Sequence, residues 1–109
     1  MLLVKGNVGK SIIADAIKKY NNARIYSYDT DIIPSLESYH VNLNECNVKE
    51  FCKFVFNDIY NLGHDCLPLD MVVIYTNLSN IDDIGMIENY ANTLEQNRMV
   101  NYVVVMCKY

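Results

Sequence analysis

A chain of 109 residues, 51% hydrophobic and 20% charged, has the balance of a single soluble domain spanning residues 1–109. Its net charge of −4 argues against a direct nucleic-acid footprint, which takes clustered Lys and Arg. No stretch approaches the roughly 18 consecutive apolar residues of a membrane span, and the apolar start at residues 1–4 is too short for a secretory leader, so a cytoplasmic protein is expected.

Taken from the amino terminus, residues 2–4 are a short apolar run that predicts a strand. Residues 11–20 then place Ile12, Ile13, Ala16, Ile17 and Tyr20 on one side at helical spacing, and Asn21-Asn22 ends that helix. Residues 25–28 are β-rich and close on Asp29-Thr30-Asp31. Residues 32–44 contain Pro34 and no clear period, and read mainly as loop. Asn47 with Glu50 three positions on is a helix-start signature. Behind it Val48, Phe51, Cys52, Val55, Ile59 and Leu62 mark an amphipathic helix, which Gly63 stops. Residues 71–75 form a continuous apolar, β-branched run, as expected of a strand buried on both faces. Ser79 and Asn80 offer caps, and Asp82 and Asp83 occupy the first turn, where acids are favoured. Ile84, Ile87, Ala91 and Leu94 continue as a helical stripe that Asn97 ends, and residues 102–106 are a last apolar strand.

Such alternation predicts an α/β fold: a parallel sheet of about four strands flanked by helices, with right-handed crossovers. The cysteines Cys46, Cys52, Cys66 and Cys107 form no C-x-x-C pair. Together with His40 and His64 they match no metal-ligand spacing, and Cys52 falls within an apolar stripe. Reduced, partly buried thiols are the expectation.

The stretch with chemical content is Val4-Lys5-Gly6-Asn7-Val8-Gly9-Lys10-Ser11. Its end matches the phosphate-binding loop G-x-x-x-x-G-K-[S/T], but Val4 stands where the first glycine would be. A strand precedes it and a helix follows, the arrangement in which free N–H groups and the helix dipole receive an anion. Gly6 and Gly9 permit backbone angles that a Cβ would forbid. Lys10 can reach the β- and γ-phosphates, and the Ser11 hydroxyl can ligate Mg²⁺. By chance, G-x-x-G-K-[S/T] should appear in well under about 1% of chains this long. The alternative is a purely structural strand-to-helix turn.

The stretch K-G-N-V-G-K-S resembles the deviant Walker A motif, K-G-G-x-G-K-[S/T], of the ParA/MinD family of ATPases. Asn7 replaces the second glycine, and Asn tolerates positive φ better than most residues. The resemblance implies a three-layer P-loop NTPase-like domain that binds ATP and Mg²⁺ through Gly6, Asn7, Val8, Gly9, Lys10 and Ser11. It also implies a nucleotide-dependent homodimer in which Lys5 reaches the partner's nucleotide. Residues 25–31, I-Y-S-Y-D-T-D, look like the family's second strand ending in D-x-D. Asp29 would then position the attacking water, beside Lys5 and Lys10 as the catalytic set, and Asp31 would join Ser11 at Mg²⁺.

Residues 69–79 resemble the Walker B strand, Y-D-x-I-I-I-D-x-P-P-S, with a departure: the second aspartate falls on Tyr75 and the prolines on Asn77 and Leu78. A phenol is neutral at pH 7 and a poor partner for the Mg²⁺ shell. Asp70 lies five residues earlier, about 16 Å away along a strand. The chain is short for the family and reads as a truncated or minimal member. The expected role is plasmid or chromosome partition, conjugative mobilisation or related positioning. A non-hydrolysing interaction or adaptor module on the same scaffold, with a protein partner, is the alternative. No N-K-x-D guanine motif occurs, so ATP is implied by the resemblance only.

Overall fold

The computed structural model describes residues 1–5, 22–28, 40–42, 46–63, 65, 67–76, 78 and 80–107, with Lys5 and 40–42 described in backbone only. Among the described residues five strands form one sheet: β1 (Leu2–Lys5), β2 (Ala23–Tyr28), β3 (His40–Asn42), β4 (Met71–Thr76) and β5 (Val103–Cys107). Their order across the sheet is β1-β5-β4-β2-β3, and every pairing is parallel. The two central strands β4 and β5 are buried at every position, as their unbroken apolar runs require of strands covered on both sides. The α/β class and the parallel sheet are as the sequence predicts. The region read mainly as loop contains β3, held against β2 from Ile25↔His40 to Ser27↔Asn42. Three residues are too few to show a side-chain period, so only the hydrogen-bonded ladder reveals this strand.

Between the strands run two described helices, α1 (Val48–Tyr60) and α2 (Ile81–Gln96). Each starts on an asparagine. Asn47 Oδ1 accepts the Glu50 N–H at 2.8 Å, and its amide donates to Glu50 Oε1 at 3.2 Å. Asn80 Oδ1 accepts from the N–H groups of Asp82 and Asp83 at 2.8 and 3.3 Å. Caps of this kind stabilise a helix by about 1 kcal/mol each. The buried positions of α2 are Ile84, Ile87, Ala91 and Leu94, the predicted stripe. Those of α1 are Val48, Phe51, Cys52, Val55 and Ile59; Leu62 lies beyond the helix end and is half-buried.

The helix α2 stops at Asn97, as the sequence suggests, and two further hydrogen bonds close its end. Arg98 N–H donates to Glu95 O at 3.1 Å and Met99 N–H to Leu94 O at 3.0 Å. This double closure is the Schellman motif. It puts Arg98 at φ 57°, the left-handed region where a Cβ is costly and glycine is preferred. Arg98→Gly should therefore stabilise the fold by about 0.5–1 kcal/mol. A denaturant titration that found the variant less stable than the parent would contradict this reading of the helix end.

The sheet separates two apolar clusters. On one side Tyr26, Tyr28, Val72, Ile74, Val103 and Val105 meet the buried faces of both helices. On the other lie Ala23, Ile25, Met71, Val73, Tyr75, Val104 and Met106, with Val4 against them. Both described helices cover the same face. The helix expected over residues 11–20 lies outside the described residues. A polar tie joins α1 to β2: Asp58 Oδ2 accepts from Arg24 at 2.8 Å and from the Tyr26 hydroxyl at 2.6 Å. Burial, reinforced by Asp58, holds the Tyr26 phenol protonated well above its ordinary range.

Burial also pushes the Cys52 thiol up to about 12, with the neighbouring Cys46 adding to the shift. An unfolded chain ionises such a thiol from about pH 9, while the folded chain keeps its proton. The folded state therefore binds more protons between these values, and stability falls as pH rises from about 9 toward 12. Cys52→Val should flatten part of that loss, read as unfolding midpoint against pH from 8 to 11. Identical slopes in the two proteins would remove Cys52 as a cause.

Candidate anion site at the carboxyl edge

Because all strands are parallel, their carboxyl ends share one edge. Ligands of open α/β sheets bind outside that edge. Lys5, Cys107, Thr76, Tyr28 and Asn42 are the last residues of β1, β5, β4, β2 and β3 in their order across the sheet. The expected phosphate loop follows β1 and therefore leaves from this edge. Lys5 is placed, opposite Cys107 in the register. The other expected site residues, Gly6, Asn7, Val8, Gly9, Lys10, Ser11, Asp29 and Asp31, lie outside the described residues.

The strand order sets distances between the segments that lead to them. β5 lies between β1 and β4, so the Walker B-like strand is not the neighbour of the loop strand. β2, which leads to Asp29 and Asp31, is three strand spacings from β1, about 14 Å. The residue next to Lys5 is Cys107, whose buried thiol donates weakly to Val4 O at 3.8 Å.

The position expected for a Walker B acid, Tyr75, is a core position. Tyr75 is 6% exposed and packs with Ile25, Val73, Val104 and Met106 on the face away from both helices. It pairs with Met106, which sits next to Val4 in the neighbouring register. Asp70 stands just before β4 at the opposite, amino edge, where its N–H donates to Asn22 O at 2.8 Å. No carboxylate of β4 thus faces the loop strand's end.

Two residues that sequence reasoning passed over are Ser27 and Thr76, the buried polar side chains among the described residues. Thr76 closes the apolar strand β4 at the carboxyl edge, and Ser27 stands one residue before the end of β2. Thr76 Oγ1 accepts the Leu78 N–H at 3.1 Å, which ends β4. One lone pair is used in this way, and the hydroxyl proton remains for an acceptor. Tyr28 lies beside Thr76 in the register; its hydroxyl donates to Cys46 O at 2.6 Å, and its ring sits 5.1 Å from that of Phe51. The signal available in the sequence was a small hydroxyl at the end of an otherwise apolar run.

Among the described residues no group of three or more His, Cys, Asp or Glu could hold a metal ion. Ser11 and Asp31, the residues expected at Mg²⁺, are not among them. The Cys46 and Cys52 thiols are both raised, chiefly by burial, which disfavours the thiolate that metals bind. No described helix is long and apolar enough to cross a membrane. Comparison with protein-family models, curated proteins and solved structures finds no match, so the likeness to ParA/MinD ATPases rests on the residues quoted from the sequence.

Proposed function

We propose that the chain is a nucleotide-binding P-loop protein of ParA/MinD type, a three-layer domain taking ATP with Mg²⁺ at the carboxyl edge of its sheet. The observation that carries this reading is β1: a strand of a parallel sheet whose last residue, Lys5, leads directly into Gly6-Asn7-Val8-Gly9-Lys10-Ser11. In this reading the loop's N–H groups and Lys10 hold the phosphates, Ser11 and Asp31 the Mg²⁺, and Asp29 orients water. Lys5 serves the nucleotide of a second copy in a dimer used for partition, mobilisation or positioning.

The buried position of Tyr75 favours a second reading, in which nucleotide is bound without turnover and the protein acts as an adaptor. Turnover of the isolated chain should stay below roughly 1 per second, the low end of working enzymes. Light scattering with and without Mg²⁺ and a non-hydrolysable ATP analogue tests the dimer. Association should require the nucleotide and weaken in Lys5→Ala. A monomer in both conditions at all micromolar concentrations would discard the sandwich, and a dimer indifferent to nucleotide and to Lys5 would favour the adaptor.

A further inference from the structure

At the amino edge of the sheet, opposite the loop strand's end, the carboxyl ends of α1 and α2 enclose a cleft of about 560 Å³. Small-molecule sites span about 300–1,000 Å³. One wall is aromatic: Phe56 and Tyr60, one turn apart on α1, stack with centroids 6.5 Å apart and planes 11° from parallel. Leu67, Pro68 and Met99 complete an apolar lining. Tyr60 is 67% exposed, so its ring is available to a ligand.

The polar element is Arg98. It stands at the left-handed position of the helix closure, which sets it on the rim of the cleft. Its guanidinium makes no hydrogen bond or ion pair among the described residues. No described carboxylate lines the cleft, although the chain carries 13 acidic residues against 9 basic ones. A cation at a helix end can serve the helix dipole. Here, however, three carbonyls of the last turn are already taken: Thr93, Leu94 and Glu95 accept from the N–H groups of Asn97, Met99 and Arg98.

We propose that this cleft binds a small aromatic carboxylate. The ring lies along the Phe56–Tyr60 wall, and the carboxylate takes two parallel N–H donors from Arg98, with the Asn97 amide on the same rim. The site lies at the sheet edge opposite Lys5 and does not depend on the function proposed for the loop.

The test is calorimetric titration of the full chain with naphthalene-2-carboxylate, using 2-naphthalenemethanol as the neutral comparator. The acid should bind saturably and the alcohol about tenfold more weakly, the worth of a charge-assisted pair. Arg98→Gly suits the backbone at that position, so it should lose about tenfold in affinity for the acid while remaining fully folded by circular dichroism. Arg98→Lys should fall between, because it keeps the charge without the fork. Equal binding of acid and alcohol, or unchanged affinity in Arg98→Gly, would overturn the proposal. So would competition by Mg-ATP, absence of saturable binding, or binding of an acidic, Phe-containing peptide with no binding of the naphthoate.

Discussion

Lys10→Ala is expected to lower the affinity for Mg-ATP by about 100-fold, because a hydrogen-bonded ammonium on phosphate contributes about 1.5–3 kcal/mol. The side chain would supply a point charge where three phosphates crowd negative charge, and the loop's N–H groups alone cannot replace it. Binding should be read with a fluorescent ATP analogue at fixed salt, since screening weakens such contacts. Gly9→Ala should act on the same site through the backbone, by restricting the angles available to the loop. Unchanged affinity in Lys10→Ala would take the loop out of consideration, and no binding by the parent chain would reduce the stretch to a strand-to-helix turn.

The second large effect is structural. Tyr75→Asp, which puts an acid where the ParA/MinD resemblance expects one, should destabilise the protein by about 4 kcal/mol or more. Removing a buried aromatic side chain costs about 3–5 kcal/mol. The new carboxylate would also sit among Ile25, Val73, Val104 and Met106, where taking a charge out of water is costly. A domain of ordinary stability has about 5–15 kcal/mol in all. Tyr75→Phe keeps the ring and should cost about 1 kcal/mol, the worth of one hydroxyl interaction. Urea midpoints of the three proteins decide the matter. If Tyr75→Asp kept the parent's midpoint, the β4 position would be open to solvent or cation and not a packed core site.

The two described helices could be read from residues because their determinants are local. Asn47 and Asn80 cap them, and the 3.6-residue period marks the buried side of each. β4 and β5 could be read as doubly buried strands because they lack alternation. Three other features depend on groups far apart in the chain. The strand β3 exists through its ladder with β2. The placement of β5 between β1 and β4 is invisible in apolar runs of similar composition, since either could have been the neighbour of β1. Arg98 at a left-handed position contradicts the glycine that a helix end normally signals. At the candidate site, residue identity pointed to the loop and the fold places Lys5 at its base. Thr76 was missed because a threonine in a strand ordinarily carries no chemical meaning.

The position of β1 at the end of the sheet has a consequence for synthesis. Its described hydrogen-bonded neighbour is β5, in the register Leu2↔Val104, so this strand pairs with residues translated long after it. β2, β3 and β4 can form their mutual ladders on a nascent chain while β1 has no partner. At about 5–20 residues per second, the wait is on the order of ten seconds. Closing a loop of this length adds an entropic cost that the shorter pairings do not carry. A chain stalled before Val103 would therefore lack the described partner of Leu2-Leu3-Val4, while β2, β3 and β4 could already be paired.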